Sequence, residues 1–343
     1  MSQAAPYCVV LDANVWVAER MLKSSLGNAL LYALTGAKAS IGLPEVVELE
    51  VNRVLPEMAE RAVSVVGRET SLLRQLSGQN LMFTGPTALA IREGIADRWK
   101  QLGGLVVRVP FSQEQAQSAL ARIIAKTPPC GENNEQFRDC CIWQVSVSLA
   151  EKCDVHLITA DSAFYEGRKT SLGLAKSLRD ELVAEKRALH IHASIQDFLT
   201  ALGNTAAAVD EDAISAAIIQ SITPYAHDIA TEKSRFRLGS AGKPKINGFA
   251  TPKGALVAVS FEVSFALESV ESDGQEELYR RATLSIKGEC SYDPNLRSVA
   301  DVAIRGWSQH LDRSGGGFEG KSSAPTSDDL RQYDPTHFRV ISR

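Results

Sequence analysis

The chain has 343 residues, 44% of them hydrophobic and 23% charged, with a formal net charge of −4. That composition excludes a fibrous or wholly disordered chain and allows two domains with sizeable cores. It also excludes binding of nucleic acid through bulk cationic charge, which leaves local basic patches as the route. No apolar run reaches the ~18–20 residues that cross a bilayer. Residues 1–6 carry no basic segment, and the apolar stretch after them is broken at Asp12, so neither a signal peptide nor membrane attachment is expected and the compartment reads as cytoplasmic. The 6 cysteines are scattered without a C-x-x-C pair and read as reduced thiols rather than a disulfide framework or a thiolate zinc site.

From residue 7 to 204, strand-like and helix-like signals alternate. Cys8-Val9-Val10-Leu11 is a short buried run ending at Asp12, and Leu22, Leu26, Leu30 and Leu34 form a helical stripe ending near Gly36. Ala39 to Gly42 reads as a weak strand, after which Pro44 suits the first turn of a helix. Helices follow to about Gln101, interrupted at Ser77-Gly78 and Thr84-Gly85-Pro86. Leu105 to Val109 reads as a strand, and Ser112 caps a helix running to Lys126. After a loop from Pro128 to Asn134 come a helix over about Glu135 to Glu151, a buried strand from Val155 to Thr159, a helix over about Leu172 to Lys186, a strand from Ala188 to Ala193 and a helix from Ser194 to Leu202. Strands separated by helices of this length imply an α/β domain, a parallel sheet flanked by helices.

The small-residue stretch 203–210 reads as a linker. After a helix over about Asp212 to Ile222, strict alternation begins: Val257, Val259, Phe261, Val263, Phe265 and Leu267 face one way, and Leu284, Ile286 and Cys290 repeat the pattern. Residues 210–312 are therefore expected to form a smaller, mostly antiparallel β (α+β) domain, with 313–343 as a flexible tail.

Asp12 and Asp161 stand where buried strands end, the edge at which open parallel sheets bind ligands. A helix cap or Asx-turn is the bland alternative for each. Glu50 has Val46 and Val47 at i−4 and i−3 and Val54 at i+4, so it sits within an apolar stripe, where a salt bridge to Arg53 at i+3 is the bland alternative. Glu48 pairs with Asn52 on another face, and Glu45 lies in the first turn, where the helix dipole suits it. Asp139 has Ile142, Trp143 and Ser146 on its own face, and Glu135 falls there too. Crowded carboxylates raise one another's pKa, and a hard cation such as Mg²⁺ or Mn²⁺ relieves the repulsion.

At these residues the sequence resembles the PIN-domain nucleases. Asp12-Ala13-Asn14-Val15 after an apolar strand is similar to the family's opening motif, and the segment Leu43 to Glu50 resembles its strand-to-helix element, with the family's Glu falling on Glu50. Phe137-Arg138-Asp139-Cys140-Cys141-Ile142-Trp143 resembles the helix bearing the third acid, and Leu157 to Phe164 resembles the T-x-D-x-x-F segment bearing the fourth. The resemblance covers about residues 7–202 and departs from the family by a longer helical insertion over about 55–130. It implies a Mg²⁺- or Mn²⁺-dependent hydrolase, most often an endoribonuclease. Asp12, Asp139 and Asp161 would ligate metal, and Glu50 would ligate it or orient the hydrolytic water. Asn14 would support a ligand carboxylate, and Ser162 would meet a phosphate or cap the next turn. Arg138, Arg168 and Lys169 are candidates for substrate contact, with RNA as the partner and DNA on the same scaffold as the alternative.

Other features weigh less. His190 and His192 share a strand face but lack a third ligand nearby, and His156 reads as packed. Arg235, Arg237, Lys243, Lys245 and Lys253, with Phe236 and Phe249 interleaved, form the densest basic cluster. Gly315-Gly316-Gly317 lacks the Lys-Ser/Thr of a phosphate loop. A haloacid-dehalogenase-type phosphatase is disfavoured because Asn14 replaces the second Asp of D-x-D, and a non-catalytic binding module is the rival of another class. Protein partners and oligomeric state stay open.

Overall fold

The computed structural model describes residues 7–131, 136–185, 188–206, 210–234, 236–252, 256–269 and 279–313. Glu135, residues 132–134 of the preceding loop, Arg235, Lys253, residues 207–209 of the expected linker and the expected tail beyond Arg313 lie outside them. The described residues divide into two compact units, one of residues up to Lys23 with Ala33–Ala201, the other of Ser24–Tyr32 with the described residues from Leu202 to Arg313.

The first unit is an α/β fold. Its elements are β1 (Cys8–Leu11), α1 (Ala13–Ala18), α2 (Ser25–Ala37, shared with the other unit), β2 (Ser40–Pro44), α3 (Glu45–Ser77), α4 (Ala88–Leu102), β3 (Val106–Val109), α5 (Gln113–Ala125), α6 (Phe137–Ala150), β4 (Val155–Ile158), α7 (Lys176–Glu185), β5 (Leu189–His192) and α8 (Ile195–Ala201). The strands lie in the order β3-β2-β1-β4-β5, and every pairing is parallel. Val9, Val10, Leu11, Ile41, Leu43, Leu157 and Ile158 are fully buried, as expected for strands covered on both faces.

Turn chemistry sets most of the boundaries. Thr87 and Ser112 cap α4 and α5 by accepting the N–H of Ala90 and of Gln115, each at 3.2 Å. Gly78 closes α3 with φ 68°, the left-handed conformation a glycine adopts without strain. The stripe through Leu22 does not make one helix. Arg20, Met21 and Leu22 have positive φ, so α1 ends and α2 starts afresh. Arg98 satisfies the freed carbonyls, donating to Met21 O at 2.9 Å and Leu22 O at 3.0 Å. At β2 a side chain on Gly42 would come within 2.6 Å of Leu149 Cδ1 and 3.2 Å of Cys8 Sγ. Glycine there lets α6 lie close against the sheet and sets the height of Asp139.

The second unit joins α9 (Glu211–Ser234) to β6 (Phe236–Ala241), β7 (Lys245–Ala250), β8 (Val257–Ser269), β9 (Tyr279–Asp293) and β10 (Ser298–Arg313). The sheet is antiparallel, ordered β10-β9-β8-β6, with β7 also on β8. Val259, Phe261, Val263, Phe265 and Leu267 face its core with Leu284, Ile286 and Cys290, the alternation expected of them. Helix α9 runs past Ile222 and through Pro224. Its buried stripe of Ile214, Ile218, Ile222, Ala226 and Ile229 continues across the proline, and that burial outweighs one lost hydrogen bond. Among the described residues no helix is long and apolar enough to cross a membrane.

Candidate active site

A parallel sheet delivers the ends of its strands to one edge. Asp12 follows β1, Glu45 follows β2 and opens α3, Phe111 lies just past β3, and Asp161 lies just past β4. Helix α6 brings Asp139 to the same place, and the second turn of α3 brings Glu50.

Asp12 is buried at 5% exposure and accepts a hydrogen bond from Thr159 Oγ1 at 2.8 Å. It occupies the cap position of α1, but its side chain makes no capping bond. Burial, together with the negative charges of Asp161 and Glu50, pushes its carboxyl up to about 6, while the Thr159 hydroxyl and the Ala13 amide pull it back. Asp139 lies well above the usual carboxylate range. Burial is the largest cause, and Asp12, Asp161 and Glu50 all add to the rise, while Arg138 opposes it. Four acids remote in sequence thus act on one another electrostatically.

Residues 9–164 match the family model of the PIN domain. The chain carries a PIN domain. No curated protein matches the chain. PIN domains are in general metal-dependent nucleases, so the fold is of nuclease type and nucleic acid is the general class of substrate.

Within this PIN domain Asp161 and Glu50 also have local partners. Asp161 Oδ1 accepts the Ala163 N–H at 2.8 Å, the cap expected as its bland role, and Oδ2 accepts from Gln136 Nε2 at 3.3 Å. That cap belongs to Asp161, not Ser162, which is half-buried. Glu50 is paired with Arg138 rather than Arg53, whose guanidinium turns to Glu57 at 3.2 Å. Arg138, a candidate for substrate contact, therefore sits on an acid. Glu48 is held by Arg108, with Nε 2.9 Å from Oε2 and Nη2 3.0 Å from Oε1, while Asn52 instead accepts from Trp99 Nε1 at 2.8 Å. With Glu48 committed to Arg108, Glu50 is the acid of α3 that Asp139 senses. Glu45 accepts the Phe111 N–H at 2.7 Å.

Asn14 is exposed and the donor to Asp12 is Thr159. Thr159 was visible in the sequence only as the threonine of T-x-D. The same Oγ1 accepts the Asp161 N–H at 3.0 Å, and Tyr165 Oη donates to Thr159 O at 2.7 Å, so the segment is fixed from both sides. Arg168 lines a cavity of about 360 Å³ with Lys126, Gly131, Ala163, Tyr165 and Lys176, whereas Lys169 is exposed outside it. Lys126, at the end of α5, is a cation that the sequence did not single out for this place.

Among the described residues no three His, Cys, Asp or Glu side chains form a ready metal cage. The acids are held by Thr159, Arg138, Gln136 and the Ala163 amide. The donor set is nonetheless all oxygen, and its mutual repulsion is the condition a hard divalent cation relieves, so the residues fit Mg²⁺ or Mn²⁺ by chemistry.

Two expectations change elsewhere. His190 and His192 do have a third histidine nearby: His156 stacks on His190 at 5.1 Å, and its Nδ1 lies 3.0 Å from His192 Nε2. In the basic cluster, Phe236 and Phe249 are buried at 8% and 0% exposure, and Lys243 pairs with Asp212 at 3.2 Å, so no aromatic face is offered between the cations there.

Proposed function

We infer that the chain is a divalent-metal-dependent endoribonuclease of the cytoplasm, with its active site at Asp12, Glu50, Asp139 and Asp161. The observation that carries this reading is Asp139, a buried carboxyl on which the acids supplied by β1, α3 and the end of β4 also act, so that burial first and then those three charges raise it. Evolving such crowding for stability alone makes little sense, since each added charge costs folding free energy. Asp12, Asp139 and Asp161 would hold Mg²⁺ or Mn²⁺. When bound, the metal supplies charge neutralisation and an activated water for in-line attack at phosphorus.

The chain's own residues do the rest. Thr159 keeps Asp12 oriented and, by its hydrogen bond, favours its charged form. Glu50 orients the attacking water, and Arg138 is positioned to exchange Glu50 for a phosphate oxygen as substrate arrives. Lys126 and Arg168 line the cavity beside Asp161 and offer positive charge to the strand on that side. Asn14 and Ser162 stand at the rim, where Ser162 meets a phosphate.

The test is cleavage of single-stranded RNA, single-stranded DNA and flap DNA with Mg²⁺, Mn²⁺ or EDTA. RNA cleavage that needs the metal and vanishes in Asp12→Asn and Asp161→Asn supports the reading. Preference for flap DNA moves the substrate to DNA. Binding of RNA without cleavage under either cation refutes the enzyme.

A further inference from the structure

The carboxyl edge of the sheet carries one feature that the acid chemistry does not use. Phe111, just past β3, and Phe137, the first residue of α6, place their rings 6.2 Å apart at an interplanar angle of 60°. Both stay open to water, at 41% and 38% exposure. Tilted at that angle, neither ring covers the face of the other. Scattered exposed hydrophobics are ordinary, but this pair is held in place. The Phe111 backbone is tied to Glu45 by the 2.7 Å bond, and Pro110 precedes it. Phe137 sits directly before Arg138 and two residues before Asp139.

Its position along the edge is informative. β3 lies two strands from β1. At ~4.8 Å per strand the end of β3 that leads to Phe111 stands about 10 Å along the edge from the end of β1. Glu45 is committed to the Phe111 N–H and Glu50 to Arg138, so what this place itself offers is the apolar faces of the two rings. A neutral, flat, apolar-faced group suits it.

We propose that Phe111 and Phe137 form a stacking platform for an unpaired nucleobase of the substrate. The proposal rests on the nuclease reading and adds to it a base-binding subsite. The scissile strand would run along the carboxyl edge, with a base on the phenylalanines, its backbone passing the acids and the next phosphates entering the Lys126–Arg168 cavity. A duplex keeps its bases stacked on one another and leaves the platform empty.

Binding is measured on the full chain carrying Asp12→Asn, so that substrate survives, with a short single-stranded RNA and an abasic oligomer of the same length. Phe111→Leu with Phe137→Leu keeps apolar bulk and removes the aromatic faces. The platform predicts a loss of about tenfold or more for the base-containing RNA and no change for the abasic oligomer. Phe137→Trp retains affinity, and its fluorescence is quenched on binding. Equal losses on both oligomers, or none on either, overturn the platform. If the wild-type chain cuts RNA and the leucine pair binds as the parent does, the platform alone falls. If the wild-type chain neither binds nor cuts nucleic acid, the nuclease reading falls and the platform with it.

Discussion

Thr159 donates its hydroxyl hydrogen to Asp12 Oδ2 at 2.8 Å, and Thr159 Oγ1 itself accepts the Asp161 N–H at 3.0 Å. One buried hydroxyl therefore joins the ends of β1 and β4 and sets the spacing of two of the acids. Thr159→Val keeps the shape but leaves a buried N–H without an acceptor. We expect a loss of about 1–3 kcal/mol in urea denaturation. Asp12 also loses the hydrogen bond that lowers its pKa, so the acid limb of the pH–rate profile moves upward. Thr159→Ser restores both. Unchanged stability and profile in the valine variant contradict the role given to this hydroxyl.

Crowded carboxylates trade stability for chemistry. A carboxyl whose folded pKa lies above its unfolded value binds more protons folded than unfolded between the two. Stability at Asp12 therefore falls as pH climbs from about 4 through about 6, and Asp139 falls in the same direction. Asp12→Asn should raise the stability of metal-free protein by about 1–3 kcal/mol at pH 8, and Asp139→Asn should raise it too, with both gains vanishing near pH 3. Both should abolish cleavage and the thermal stabilisation given by Mn²⁺. Melting curves at the two pH values check this, and a lower midpoint at pH 8 refutes it.

Arg138 and a cation compete for the same carboxylate. The guanidinium pairs with Glu50 and lowers the pKa of Asp139, so it already neutralises part of the site. Arg138→Gln removes a positive charge from the acid cluster. Mn²⁺ affinity, read from thermal shift, should rise severalfold, while affinity for RNA falls and loses part of its dependence on salt. Weaker Mn²⁺ binding in the variant indicates that Arg138 positions Glu50 for the metal rather than competing with it.

Much of the α/β unit was legible because its signals are local. Asp12 and Asp161 declare themselves by ending buried runs, and Glu50 by standing among valines at helical spacing. Ser112 and Gly78 mark helix ends that need no tertiary partner. What escaped reading depends on residues far apart. The break between α1 and α2 survives because Arg98, some 77 positions from Met21, satisfies its carbonyls. Pro224 is tolerated because both flanks of α9 bury isoleucines in the same core. The pairing of Glu50 with Arg138 and the meeting of Phe111 with Phe137 are products of strand order, which no spacing along the chain reveals.

The histidine cluster gives the PIN-domain unit a pH dependence of the opposite sign to that of the acids. Burial and the adjacent imidazoles of His192 and His190 push His156 down to about 4. A base held below its unfolded value of ~6.5 takes up its proton on unfolding, so stability present above that value is lost as pH falls from 6.5 toward 4. The ring is half-buried among Tyr7, His190, His192 and Phe198, and solvent screening reduces the effect to about 1 kcal/mol. His156→Phe keeps an aromatic ring among these neighbours and removes the titration. Comparing urea midpoints at pH 7.5 and 4.5 without metal, the variant should lose less stability than the wild type. Because the acid cluster is common to both proteins, its own slope cancels in the difference, and equal losses would mean that His156 does not stay neutral in the fold.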